Sequence, residues 1–247
     1  MTGENKLPNN IDVFNTNQEI TWCPGCGGYG FLTALKKALV KAKKEPKDVV
    51  VTYDIGCSAN AVNFLNVCGF ATLHGRSIPV AIGAKMANPS LTVIAQGGEG
   101  GIVTEGANHL IHAAQRNDDI MVIINNNFVF GLTTGQASSA TPKGLKTRST
   151  PEGNPFEALC AVDLALISGA TFVSRTPASA VERTAEIIYQ ALIHKGFSLV
   201  EIIQPCVVWT KELVGQDGVW VEKPFANKLD VIGNEKLWGI LYQKLLT

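Results

Sequence analysis

Two apolar runs that each break into a polar or glycine-rich loop constrain this chain more than any other feature. Leu91 to Ala95 is predicted as a strand, and Gly97-Gly98-Glu99-Gly100-Gly101 follows it. Val103, Ala107, Leu110, Ile111 and Ala114 then recur at the spacing of one helix face. Asp119 to Ile124 is a second predicted strand, and it runs into Asn125-Asn126-Asn127. A strand, a helix and a strand in that order make a parallel pair, so both loops fall at the same edge of one sheet. The expected fold class is α/β, a parallel sheet with helices on both faces. Ligands of such sheets bind at the carboxyl ends of the strands.

The residue types at that edge suggest what binds there. Glycines let the backbone approach a ligand, and the helix they open aims unpaired N–H groups and a positive dipole end at it. A diphosphate suits such a place. Glu99 would repel a bare phosphate, and a Mg²⁺ ion between them removes the conflict, because Mg²⁺ takes oxygen from carboxylate, amide, main-chain carbonyl and phosphate. Asn127 brings a second oxygen to the same edge. A tight turn with a solvated Glu is the plain alternative for the glycine run alone, and the second strand ending in asparagine weighs against it.

A chain of 247 residues suits one large α/β domain. Lys and Arg number 21, as do Asp and Glu, and no basic block stands out, so neither nucleic acid nor an anionic membrane is indicated as a partner. No apolar run reaches spanning length, and the polar start from Thr2 to Asn10 resembles neither a signal nor a transit peptide. A cytoplasmic protein is expected, in which six cysteines point to metal or catalysis rather than disulfides. The expected divisions are an N-terminal arm over 1–20, one α/β domain over 21–206, and a tail over 207–247. Trp209, Trp220 and Trp238 mark that tail as a surface for subunit contact.

Cys23-Pro24-Gly25-Cys26 puts two thiols on one turn, a pattern open to zinc, a redox disulfide or an iron–sulfur cluster. A helix is predicted from Tyr29 to Lys44, then a strand from Val49 to Tyr53 leading into Asp54-Ile55-Gly56-Cys57-Ser58. His74-Gly75-Arg76 reads equally as a surface loop or as an Arg and a His beside an anion, and a helix over Ile78 to Met86 follows it. The stretch from Phe130 to Thr150 carries hydroxyls and no core pattern, as functional loops do. Pro155 to Ser168 is predicted as a helix with Cys160 buried in it, and Ala170 to Ser174 as a strand. Thr176 and Pro177 are expected to cap and open the next helix, and Gly196 to close it. Phe197 to Ile203 is the last central strand, and Gln204-Pro205-Cys206 follows it.

Several stretches, in this order and spacing, resemble one family. They are Trp22-Cys23-Pro24-Gly25-Cys26-Gly27, Asp54-Ile55-Gly56-Cys57-Ser58, His74-Gly75-Arg76, Gly106-Ala107-Asn108-His109-Leu110-Ile111-His112-Ala113, Gly131-Leu132-Thr133-Thr134-Gly135-Gln136 and Gln204-Pro205-Cys206. From about Thr21 to Trp209 the chain resembles the thiamine-diphosphate-binding β subunit of 2-oxoacid:ferredoxin oxidoreductases. Gly98-Glu99-Gly100 and Asn126-Asn127 match that family's Gly-Asp-Gly and asparagine-pair motif.

By this resemblance Glu99, Asn127 and the carbonyl of Val129 hold Mg²⁺. Thr133, Gly56, Ser58, Asn126 and the amides of Gly98, Gly100 and Gly101 lie at thiamine diphosphate. Cys23, Cys26, Cys57 and Cys206 bind a [4Fe–4S] cluster, and His74 and Arg76 approach the reacting centre. Two positions depart from the motif: Glu99 stands where Asp is usual, and Gly101 where an acidic residue often follows.

The resemblance implies oxidative decarboxylation of a 2-oxoacid to acyl-coenzyme A and CO₂, with electrons passing through the cluster to ferredoxin or flavodoxin. It also implies an α subunit supplying the Glu that activates the aminopyrimidine, since no residue here matches it, and room for further small subunits. Two other classes stay in view. A non-oxidative thiamine-diphosphate decarboxylase or synthase would leave the four cysteines idle, and a zinc-stabilised binding subunit would have no catalysis.

Overall fold

Strands that are apolar toward both faces must be covered by helices on both sides, and the fold follows from that requirement. The computed structural model describes residues 10–215 and 218–244. The first helix is α1 (Gly28–Lys41), followed by the strands β1 (Val49–Tyr53) and β2 (Cys68–Ala71), the helix α2 (Ser77–Ala87) and β3 (Thr92–Gly98). A π-helical turn (Gly100–Glu105) leads into α3 (Ala107–Arg116), β4 (Met121–Asn126) and a small hairpin of β5 (Val129–Phe130) and β6 (Gln136–Ala137). Next come α4 (Ala161–Ile167), β7 (Phe172–Pro177), α5 (Val181–Ile193) and β8 (Ser198–Ile203), then β9 (Val219–Trp220) and β10 (Leu237–Gln243).

The main sheet runs β2-β1-β3-β4-β8-β7-β10-β9. From β2 to β7 every neighbouring pair is parallel, while β10 lies antiparallel to β7. The period of two sorts the side chains. Val49, Val51, Tyr53, Ile94, Ile123, Val200 and Ile202 pack under α1 and α5, with Phe31, Leu35, Leu39 and Ile188. Val50, Val93, Ala95, Val122, Ile124, Val173 and Leu199 pack under α2, α3 and α4, with Ile78, Leu110 and Leu166. A Cβ on Gly30 would overlap the Ala178 carbonyl, so glycine is what lets α1 approach the loop after β7. Lys37–Glu182 and Lys41–Glu186 ion pairs tie α1 to α5 on the outside.

Strand β1 is followed by β2 on one side and has β3 on the other, so the loops after β1 and β3 diverge and open a crevice. Those loops are Asp54–Ser58 and the glycine turn. The predicted parallel sheet with helices on both faces is the observed architecture.

Local differences from the sequence reading have physical causes. The helix expected from Pro155 begins only at Ala161. Asn154 Nδ2 donates to the Thr141 carbonyl at 2.7 Å and Leu159 N–H to Ser139 O at 2.8 Å, which holds 155–160 out of helical form against the hydroxyl-rich loop. Thr176 and Pro177 end β7, paired with Ile202 and Ile203, instead of opening α5. Thr176 Oγ1 bonds Thr184 Oγ1 at 2.8 Å, and a proline is tolerated at the last strand position, so the turn falls at 178–180. Strand β2 was not anticipated, because it is four exposed residues long, interrupted by Gly69 and without a periodic pattern. Phe14, within the stretch read as a polar arm, is fully buried against the α1 side of the core. The tail residues 237–243 join the main sheet as β10, and Trp220 and Trp238 pack edge-on at 5.6 Å with Arg183 4.4 Å over Trp220. Among the described residues, no helix is long and apolar enough to cross a membrane.

Candidate active site and cysteine centre

The site is assembled where β1, β3, β4 and β8 end. Past β3, a Cβ on Gly100 would lie 2.5 Å from the Phe130 ring, and one on Gly101 would overlap the Asp54 carboxylate. Asp54 is buried after β1 and accepts from the Gly75 and Ile55 N–H groups, at 3.0 Å and 2.8 Å. The space an acidic side chain at position 101 would need is therefore filled by an acidic side chain from another strand. Gly101→Ala is expected to lower stability by about 1–3 kcal/mol through overpacking, read as a fall in thermal midpoint. An unchanged midpoint would show that the turn has slack.

Glu99 is buried, with 1% exposure. Its Oε2 accepts from the Asn127 N–H at 3.2 Å, and its Oε1 accepts from the Ser138 hydroxyl at 2.9 Å. The extra methylene relative to Asp thus lets the carboxylate reach across to the hydroxyl loop. Burial pushes the Glu99 carboxyl up to about 7, against the lowering effect of its hydrogen bonds to Ser138 and Asn127. No cationic side chain pairs with it among the described residues, so a buried carboxylate stands ready for a cation.

Around it lies a pocket of ≈ 90 Å³, lined by Gly98, Glu99, Gly100 and Gly101 from the turn and by Gly56, Cys57 and Ser58 from the β1 loop. Asn127, Val129 and Thr133 close its far side, and His74 reaches it with its ring 5.9 Å from that of Phe130. Two sequence-predicted residues are placed elsewhere. Arg76 is exposed, and its guanidinium donates to the Glu105 carbonyl at 3.1 Å rather than lining the pocket. Asn126 turns to the opposite face of the sheet and donates to Glu201 Oε1 at 2.8 Å, because neighbouring strand residues point to opposite faces. Glu201 there pairs with the buried Arg175 at 2.7 Å, and Arg175 also donates to the Cys160 sulfur at 3.1 Å.

The cysteines come from three places. The Cys26 N–H bonds the Cys23 carbonyl at 3.0 Å around Gly25, whose φ of +80° suits glycine, so both thiols sit on one turn. Cys57 follows β1, with its carbonyl held by Trp22 Nε1 at 2.6 Å, and Cys206 follows β8. Burial pushes the Cys57 thiol up to about 11, and Cys206, Cys26 and Cys23 add to it by charge repulsion. Burial likewise raises Cys26, opposed by the Gly28 N–H on its sulfur, with the charges of Cys206 and Cys23 as further raising causes. The Gly28 N–H reaches the Cys26 sulfur at 3.4 Å and the Trp209 N–H that of Cys206 at 3.5 Å. Among the described residues, no group of three or more His, Cys, Asp or Glu is drawn together around a position for a single ion. Cys68 and Cys160 lie outside this set.

The two halves of the site touch. A Cβ on Gly131 would lie 3.2 Å from Asn127 Nδ2 and 3.6 Å from the Cys57 sulfur, so one glycine separates the asparagine loop from the cysteine centre. Residues 54–202 match the family described as thiamine pyrophosphate enzyme, C-terminal TPP binding domain. Over 185 residues the chain is 37% identical to the 2-oxoglutarate synthase subunit KorB of Archaeoglobus fulgidus, covering 75% of this chain and 69% of that relative. This chain belongs to the 2-oxoacid:ferredoxin oxidoreductase β-subunit family.

Another member of that family, the β subunit of 2-oxoacid:ferredoxin oxidoreductase 1 from Aeropyrum pernix, is 43% identical over 199 residues, 81% of this chain. The match spans 63% of that relative's length. A solved structure, the Magnetococcus marinus 2-oxoglutarate:ferredoxin oxidoreductase with 2-oxoglutarate, coenzyme A and succinyl-CoA bound, superposes with a TM-score of 0.92 at 27% identity. It covers 98% of this chain and 88% of that one. The Rhodococcus jostii 4-hydroxybenzoylformate decarboxylase shares the fold, with a TM-score of 0.52 at 22% identity, over 76% of this chain and 34% of that one.

Sequence reasoning missed Ser138, Asp54 and the buried Gln96 and Asn125. Ser138 carries no signal beyond its hydroxyl-rich loop. Gln96 was the readable one, a polar side chain inside an apolar strand.

Proposed function

We propose that this chain is the catalytic β subunit of a 2-oxoacid:ferredoxin oxidoreductase, converting a 2-oxoacid and coenzyme A to acyl-coenzyme A and CO₂. The observation that carries the reading is the Cys57 sulfur beside Gly131 and Asn127, which sets a four-thiol centre against a phosphate-type turn. Thiols after β1 and β8 and on the 23–26 turn, whose charges raise Cys26 and Cys57, with N–H donors on two sulfurs, fit a [4Fe–4S] cluster on Cys23, Cys26, Cys57 and Cys206. The buried Glu99 carboxylate, the Asn127 amide oxygen and the Val129 carbonyl are hard oxygen donors that suit Mg²⁺. When bound, thiamine diphosphate supplies the electron sink for decarboxylation and the cluster a one-electron exit.

The chain's own part is positioning. The amides of Gly98, Gly100 and Gly101 and the Thr133 hydroxyl would hold the diphosphate, with Gly56 and Ser58 on the opposite wall of the pocket. His74 borders the pocket from the β2 side, where its ring would face a bound cofactor. A pocket of ≈ 90 Å³ is well below the about 300–1,000 Å³ that encloses a whole ligand. The remaining wall, with the Glu that activates the aminopyrimidine, belongs to an α subunit, and ferredoxin or flavodoxin takes the electrons.

The test is anaerobic co-production with the α subunit, followed by a panel of 2-oxoacids with coenzyme A and a viologen dye. Dye reduction that needs both coenzyme A and one class of 2-oxoacid is the expected result, and this chain alone should show none. Decarboxylation that proceeds without any dye reduction would favour a non-oxidative enzyme.

A further inference from the structure

We propose that a row of three buried amides, Gln96, Asn125 and Gln204, fixes an N–H donor on the Cys26 sulfur and so raises the reduction potential of the cluster held there. The proposal rests on the [4Fe–4S] reading above. The three residues continue the strand faces of Ile94, Ile123 and Ile202, which puts them on the α1 side of the sheet, the side where Cys26 precedes the helix. All three are nearly inaccessible: Gln96 is 0% exposed, Asn125 1% and Gln204 6%.

The row has one direction. The Ser58 carbonyl can only accept, so Gln96 must turn Nε2 toward it, at 3.1 Å. The same Nε2 donates to Asn125 Oδ1 at 2.7 Å, which leaves Asn125 Nδ2 to donate to Gln204 Oε1 at 3.1 Å. Gln204 is then obliged to present Nε2 to the Cys26 sulfur, at 3.8 Å. Gln96 Oε1 is buried without a partner among the described residues. That costly arrangement persists because reversing the row would set oxygen against the Ser58 carbonyl. The stem of Gln204 is pinned as well, since a Cβ on Gly27 would lie 2.6 Å from Gln204 Cγ. Ser58 is also a wall of the diphosphate pocket, so the row runs beneath both centres. A donor on a cluster sulfur favours the more negative, reduced cluster, and its loss lowers the potential.

The experiment is a potentiometric titration followed by EPR on the anaerobically purified complex and on its Gln204→Met and Asn125→Leu variants. Iron and acid-labile sulfide in the unaltered complex are measured first. Their absence would overturn the cluster reading and this inference with it. With the cluster present, a lowered midpoint in both variants is expected, including Asn125→Leu, at a residue whose side chain hydrogen-bonds Gln96 and Gln204 and not a cysteine. Unchanged midpoints, or a fall in Gln204→Met alone, would overturn the relay while leaving the cluster reading intact. Should either variant fail to fold or load, Gln204→Glu and Asn125→Asp keep the shapes. Each turns an oxygen toward the sulfur, so each is expected to lower the midpoint, and no fall in them overturns the proposal.

Discussion

On the proposed cluster reading, Cys57→Ser is expected to reduce viologen-linked turnover to background and strip the bound iron and its broad absorbance, while the chain stays folded. The thiol is half-buried at the end of β1, and the contact that anchors this loop is the bond from Trp22 to the Cys57 carbonyl, which serine keeps. A serine hydroxyl at neutral pH is a poor substitute for thiolate on iron, so the fourth corner of the cluster is lost. Because Cys57 adjoins Gly131, the loop that carries Thr133 should loosen as well, weakening thiamine diphosphate binding. Cys68→Ser and Cys160→Ser serve as controls that retain iron. A Cys57→Ser protein with full iron content and full turnover would refute the assignment of this residue.

The second large effect concerns Glu99→Gln, which should weaken Mg²⁺-dependent thiamine diphosphate binding by two orders of magnitude or more in calorimetry. Its effect on the metal-free chain is opposite in sign and depends on pH. Burial raises the Glu99 carboxyl from an ordinary 4.5 to about 7, so the folded chain binds this proton more tightly than the unfolded chain. The penalty for the buried charge is absent below 4.5, grows as the pH rises from there to about 7, and is complete above it. That interval corresponds to a penalty on the order of 3 kcal/mol. Metal-free Glu99→Gln is therefore expected to unfold at higher temperature than the unaltered chain at pH 8 and at nearly the same temperature at pH 4. Mg²⁺ with thiamine diphosphate should reverse the order at pH 8. A variant no more stable than the parent at pH 8 would mean that the carboxylate is compensated within the chain.

The parallel sheet was legible because β1, β3, β4 and β8 are largely apolar on both faces, and few other arrangements can bury such runs. The glycine turn and the cysteine turn were legible because each is local, with the chemistry written in consecutive residues. Contacts between distant strands were not. Nothing near Gly101 announces that Asp54 occupies its side-chain space, and nothing near Glu99 announces Ser138. The asparagine run shows the same boundary at finer scale. Asn125, Asn126 and Asn127 look equivalent as letters, yet alternation along β4 sends Asn125 to the amide row and Asn126 to Glu201, while Asn127, past the strand's end, turns to the pocket. Arg76 was read toward the pocket, and the Glu105 carbonyl holds it at the surface instead. The late start of α4 came from hydrogen bonds to a loop 13 and 20 residues earlier, which no helix periodicity contains.

The most direct test of the shared edge is anomalous diffraction at the iron absorption edge from anaerobically grown crystals of the complex with thiamine diphosphate and Mg²⁺. The account predicts one iron peak enclosed by the sulfurs of Cys23, Cys26, Cys57 and Cys206, with the magnesium density between Glu99 and Asn127 on the other side of Gly131. Iron bound elsewhere, or a single zinc on those four sulfurs, would contradict it.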